Sequence, residues 1–272
     1  MNKPIVAALQ MTSVADVARN LGTARRLLKQ AREGGACLAV LPENFSFMGR
    51  TEAERRQVTE PDGDGPVQDA MAAAAREYGL WIVAGTHPIA VPGEARPASA
   101  CIVYDARGLR AARYDKIHLF DVDLPGGREN YRESGNAVPG AVAVTVDTPA
   151  GRLGLSVCYD LRFPELYRRL VADGAEILSM PSAFTVPTGQ AHWEILLRAR
   201  AIENLCFVIA AAQTGIHDNG RETYGDSLIA DHWGRVLGRL PRGSGVVLAA
   251  IDREGQAATR LGFPALSHRV MA

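Results

Sequence analysis

The chain has 272 residues, and its 30 Lys and Arg side chains are matched by 30 Asp and Glu, for a formal net charge of +0. That balance excludes the basic footprint of a nucleic-acid binder and the polybasic patch of a membrane-surface protein, leaving a small molecule as the expected partner. The length suits one large α/β domain over residues 1–272, in which roughly 75% of the unfolded chain's surface can be buried.

The N-terminal apolar run IVAALQ is too short for a signal-peptide core, and no later stretch reaches the ~18 apolar residues of a membrane span, so a cytoplasmic location is expected. Val17, Leu21, Ala24, Leu28 and Ala31 fall at helical spacing before Gly34-Gly35 stops them, so residues 5–10 read as a strand feeding a helix. A buried strand from Cys37 to Leu41 ends at Pro42, which cannot donate to a ladder and hands the chain to a loop at Glu43. A helix over Pro66–Tyr78, closed by Gly79, and a strand over Trp81–Ala90 repeat the unit.

The pattern then changes to hairpins. Ala100–Tyr104 and Leu109–Tyr114 flank one turn, and Ala143–Thr148 and Leu153–Cys158 flank another. Between them lies a loop rich in Gly, Pro and charge, Asp121–Gly140, of a length that more often serves function than not. A helix from Pro164 to Ala172, a strand Ile177–Met180, a helix Gln190–Asn204 and a strand Cys206–Gln213 follow. A hairpin (Ser227–Ala230, Val236–Leu240) and a strand Val246–Ile251 complete the reading. Strand–helix alternation broken by hairpins predicts mixed sheets, two of them face to face between helix layers.

The four cysteines, Cys37, Cys101, Cys158 and Cys206, are widely spaced, with no CxxC pair, so neither a disulfide framework nor a zinc knuckle is indicated. Three sit within apolar strands and read as core. Cys158 differs, because in LSVCYDLRFPE an apolar strand runs into the thiol and a helix opens on Pro164. Such a strand-to-helix corner exposes a side chain and leaves nearby N–H groups to receive an oxyanion; the competing reading is a small buried hydrophobe. Glu43 and Lys116 follow strand ends in the same way, where a charged residue taken singly is most often a solvated surface charge. Together the three supply what amide hydrolysis needs: a nucleophile, a group that takes its proton and returns it to the departing nitrogen, and a positive cradle for the tetrahedral oxyanion. His118 and His192 are the alternative bases. No phosphate loop or metal-ligand cluster is present, so no cofactor and no metal are expected.

These residues lie in motifs that resemble the nitrilase, or carbon–nitrogen hydrolase, superfamily: LPENF around Glu43, YDKIHLFDVDLPGG around Lys116, YRESGNAVPG around Glu133, VCYDLRFPELYR around Cys158, and PSAF with AHWEILLRARAIEN beyond. The resemblance implies an αββα four-layer sandwich with two central mixed sheets, forming a homodimer through its helices. It implies Glu43 as base and then acid, Cys158 as the residue that forms a thioester, and Lys116 with the Tyr159 N–H as oxyanion donors. Glu133 matches a second glutamate placed beside the triad. Pro181-Ser182-Ala183-Phe184 and Ala210-Ala211-Ala212-Gln213 are most similar to the branch that hydrolyses deaminated glutathione, a 2-oxoglutaryl amide, with the omega-amidases as neighbours. Arg162 suits a carboxylate of that substrate, the alternative being an ion pair with Asp160 or Glu165. Phe184 and Thr188 match positions that line the family's pocket, whereas His192-Trp193-Glu194 reads as helix packing. Family members usually continue past the final His-Arg into a short Pro- and Tyr-containing tail, where this chain has His268-Arg269-Val270-Met271-Ala272.

Overall fold

The computed structural model describes residues 3–124 and 130–271; Pro125-Gly126-Gly127, the end of the motif around Lys116, and Ala272 lie outside the described residues. The strands are β1 (Ile5–Gln10), β2 (Ala36–Val40), β3 (Trp81–Ile89), β4 (Ala98–Tyr104), β5 (Arg110–Asp115), β6 (Asp121–Asp123), β7 (Asn130–Arg132) and β8 (Thr145–Thr148) in the first half. In the second they are β9 (Gly151–Leu155), β10 (Ile177–Ser182), β11 (Phe207–Ala212), β12 (Thr214–Ile216), β13 (Glu222–Tyr224), β14 (Ser227–Ala230), β15 (Val236–Leu240) and β16 (Gly245–Ala250). The helices are α1 (Val17–Glu33), α2 (Glu52–Gln57), α3 (Pro66–Tyr78), α4 (Pro164–Ala172), α5 (Val186–Asn204) and α6 (Arg253–Gly262).

Two six-stranded sheets form the centre, in the orders β16-β1-β2-β3-β4-β5 and β15-β14-β11-β10-β9-β8. Followed from β16 in one and from β8 in the other, the pairings run antiparallel, parallel, parallel, antiparallel, antiparallel in both. The parallel pairs need crossovers, which α1 and α3 supply in the first sheet and α4 and α5 in the second.

Alternation along β1 and β2 sorts the layers. Val6, Ala8, Leu38 and Val40 join the core shared with the second sheet. Ala7, Leu9, Ala39 and Leu41 face the other way, onto Ala24, Leu27, Leu28 and Ala31 of α1 and Val67, Met71 and Ala74 of α3. Contacts of β10 and β11 with β1, β2 and β3 join the sheets, and α4 and α5 cover the outer face of the second. The layers are therefore helix, sheet, sheet, helix, as the resemblance implies.

Element edges differ from the sequence reading where local chemistry overrides periodicity. α5 begins at Val186 rather than Gln190, because the Thr185 side chain accepts from Thr188 N–H and Pro187 fits the first turn. The predicted strand Leu153–Cys158 stops at Leu155, and a 3-10 turn, Cys158–Arg162, separates it from α4. α2 and α6 were not expected from the sequence. α6 has the polar Gln256 as its buried residue and leaves Leu261 exposed, so its inward side lacks the large apolar residues that mark a core helix.

Candidate active site

The ends of β2, β5, β9 and β10 converge on one rim. β2 ends at Val40, and the chain turns out through Pro42 to Glu43, with Asn44 in the left-handed region at φ 56°. Gln213, just past β11 in the other sheet, donates from Nε2 to the Glu43 carbonyl at 2.9 Å and to Ser13 Oγ at 2.6 Å. Both sheets thus fix the Glu43 backbone.

Lys116 follows β5, and its N–H donates to the Ser99 carbonyl at 3.1 Å. Its buried ammonium donates to Glu43 Oε1 at 2.8 Å and to Glu133 Oε2 at 2.7 Å. Glu133 Oε2 also accepts from Phe120 N–H at 2.7 Å. Burial alone would depress the ammonium, but the facing carboxylates of Glu133 and Glu43 outweigh it and hold its pKa above the ordinary value. The site therefore carries a fixed positive charge at neutral pH.

Cys158 opens the 3-10 turn with φ 49°, a left-handed conformation that a non-glycine residue adopts at a cost of about 1–3 kcal/mol. Asp160, fully buried, offsets that strain by accepting from Val157 N–H at 2.8 Å, Tyr114 Oη at 2.7 Å, and His118 N–H and Nδ1 at 3.1 and 2.7 Å. Burial, then the Glu43 charge, pushes the Cys158 thiol up, against the opposing pull of Lys116 and the Ala183 N–H. Burial and the Glu43 charge favour the protonated thiol, and Glu43 is the carboxylate that lines the cavity beside it.

These groups line a cavity of about 450 Å³. Tyr159, Arg162, Phe184 and Thr188 line it too. Arg162 pairs with neither Asp160 nor Glu165; its guanidinium lies 5.9 Å from the Tyr159 ring and 5.8 Å from the Phe184 ring, with exposed His192 Nδ1 at 3.3 Å. Neither histidine lines the cavity: His118 stacks on Phe163 and holds Asp160, and His192 lies outside on α5. Among the described residues no group of His, Cys, Asp and Glu could hold a metal ion.

Asp160, Ala183, Gln213 and Arg221 were missed as contributors. Asp160 alone had a local signal, as an acid in the first turn after a strand; the other three reach the site through tertiary contact. The lining comprises Lys116 and five arginines against two carboxylates, Glu43 and Glu133, among the described residues.

A buried thiol on a strained corner shares this cavity with a carboxylate and a captive ammonium, groups of the kind that nucleophilic hydrolysis uses. The chain belongs to the carbon–nitrogen hydrolase family, whose model matches residues 5–261. It is similar to the deaminated glutathione amidase of Yersinia enterocolitica, 42% identical over 269 residues that cover 98% of this chain and 93% of that protein. It is 44% identical to the deaminated glutathione amidase of Homo sapiens over 270 residues, covering 98% of this chain and 82% of the relative. The crystal structure of the Caenorhabditis elegans NitFhit protein superposes with a TM-score of 0.91 at 38% identity, covering 99% of this chain and 66% of that one. Six helices over two mixed sheets agree with that fold, and no helix among the described residues is long and apolar enough to cross a membrane.

Proposed function

We propose that this protein, acting as a single domain, hydrolyses deaminated glutathione to 2-oxoglutarate and cysteinylglycine with Cys158, Glu43 and Lys116 as its catalytic residues. The observation that carries the reading is the cavity's charge: five arginines and Lys116 exceed the two carboxylates in its lining, which suits an amide carrying carboxylates. The names of the relatives favour the same substrate.

Glu43 takes the thiol proton as Cys158 sulfur attacks the amide carbon. The oxyanion forms against the Lys116 ammonium and the N–H of Tyr159, at the start of a turn whose first N–H groups have no intrahelical acceptor. Glu43 returns the proton to the nitrogen of cysteinylglycine, which leaves as an amine, and a thioester remains. Glu43 then takes a proton from water, hydroxide adds to the thioester, and 2-oxoglutarate departs as the thiol is restored. Glu133 orients Lys116, Arg162 holds the carboxylate of the 2-oxo acyl head, and Phe184 and Thr188 shape its walls. No cofactor enters these steps.

We infer a homodimer from an apolar face made by Ile195 and Ile202 of α5, Trp233, and Leu261 and Phe263 at α6, all of them exposed, with the Trp233 and Phe263 rings 5.7 Å apart. Light scattering at micromolar concentration tests it, a monomer mass counting against it. Four free cysteines agree with a cytoplasmic setting.

The experiment is release of 2-oxoglutarate from deaminated glutathione and from 2-oxoglutaramate, measured side by side with Cys158→Ala as the blank. Preference for the first supports the reading. Preference for the second moves the chain to the omega-amidases, and turnover by the Cys158→Ala variant overturns the thioester mechanism.

A further inference from the structure

Arg221 stands in the turn before β13 and lines the same cavity. Its Nη2 donates to the Ala183 carbonyl, and its guanidinium carbon lies 5.1 Å from the centroid of the Tyr131 ring. Its Nε is buried with no hydrogen-bond partner among the described residues. A buried N–H of a charged group left without an acceptor is costly, so Arg221 is held here without a carboxylate partner of its own. Ala183, which Arg221 grips by its carbonyl, lines the cavity with Cys158, so this guanidinium is anchored to the wall of the same cavity.

The other arginines of the cavity are accounted for. Arg55 donates to the Asn136 carbonyl at 3.0 Å and to Ser99 Oγ at 2.9 Å, Arg132 pairs with Asp123, and Arg50 is exposed. Arg162 rides on the turn that carries Cys158 and serves the acyl head. An amide seated on Cys158 has a second arm, the amine, and in deaminated glutathione that arm ends in the glycine carboxylate.

We propose that Arg221 binds the terminal carboxylate of the leaving amine, and so sets the preference for a carboxylate-ended amine over ammonia. The proposal rests on the substrate reading above. A planar guanidinium that lines the cavity and has one Nη2 N–H spent on Ala183 keeps other Nη N–H groups for a charge-assisted hydrogen bond to a carboxylate oxygen.

The test compares deaminated glutathione with its C-terminal glycinamide, identical but for the missing carboxylate charge, in wild type, Arg221→Met, Arg221→Lys and Arg162→Met. Each variant is read as the ratio of kcat/KM for acid over amide, which does not change with the fraction of enzyme that is folded. Wild type should favour the acid on the order of 10- to 100-fold. Arg221→Met should bring the ratio close to one, Arg221→Lys should leave it intermediate, and Arg162→Met should lower turnover of both forms with the ratio kept. A wild-type ratio of one, a ratio unmoved by Arg221→Met, or a ratio governed by Arg162 overturns the assignment. Failure of wild type to hydrolyse either form overturns the substrate reading itself.

Discussion

Tyr114 Oη donates to the buried Asp160 carboxylate at 2.7 Å, and this one bond joins the strand that delivers Lys116 to the turn that delivers Cys158. Tyr114 precedes the lysine by two residues and Asp160 follows the cysteine by two, so the contact spans the two sheets directly beneath the reacting groups. Asp160 has four donors around it, two of them from His118 and one each from Tyr114 and Val157.

Tyr114→Phe keeps the ring and removes that donor. Loss of a hydrogen bond to a buried charged group costs about 1.5–3 kcal/mol, and the spacing between Lys116 and Cys158 keeps only the tie through His118. The expected result is a lower urea midpoint with unchanged m-value and a fall in kcat larger than any change in KM. A variant as stable and as active as wild type would remove Asp160 from the account.

Lys116→Met leaves Glu43 and Glu133 facing each other without the cation between them. Breaking a buried ion pair from one side costs about 3–5 kcal/mol, so this variant should be far less stable than Glu133→Gln, which keeps one carboxylate for the lysine. Chemical denaturation of the two variants checks the order. Equal destabilisation would mean that the charge of Glu133, rather than that of Lys116, organises the cluster.

The sequence made most of this architecture legible because its strands are buried runs and α1 and α3 present apolar stripes of helical period. Glu43, Lys116 and Cys158 could be picked out because each follows a strand end, and strand ends gather on one rim. Arg221 could not, since its turn has no periodic neighbours and its link to the site runs through the Ala183 carbonyl, 38 residues away. Nor could Gln213 be seen as the clamp on Glu43, which is 170 residues distant. The strained φ of Cys158 was hidden for another reason: Leu155-Ser156-Val157-Cys158 reads as continuous strand until Asp160 draws the chain into a turn.

Gly85 of β3 packs against the end of β2 in its own sheet and against β10 of the other. A Cβ there would stand 2.1 Å from the Leu41 carbonyl and 2.5 Å from Pro181 Cβ, contacts that backbone cannot relieve without separating β2 and β10 from β3. Gly85→Ala should cost about 1–3 kcal/mol as overpacking and shift the Glu43 loop that begins at Leu41. Thermal denaturation and kcat should fall together, while Gly63→Ala, at an exposed turn whose Cβ would meet nothing within 4 Å, should lose stability through its φ of 84° alone and keep kcat.

Acid should destabilise the fold through His217. Its ring is buried, Nδ1–H donates to the Ser13 carbonyl at 2.8 Å, and Nε2 accepts from Thr223 Oγ1 at 2.8 Å, so both nitrogens are satisfied by the neutral ring. Burial pushes its pKa below the ordinary 6.5 and Arg221 adds to that, against the Ser13 carbonyl and Asp218. The unfolded chain therefore binds the proton more readily than the folded one, and stability rises with pH across this window. The contribution is fully present above pH about 6.5 and is lost as pH falls through the lower, folded value. His232, lowered by burial as well, acts with the same sign. Urea midpoints at pH 7.5 and 5.5 should differ less in His217→Asn than in wild type, with His232 supplying the residual slope. An identical pH dependence in the two proteins would show that His217 is not the group that titrates.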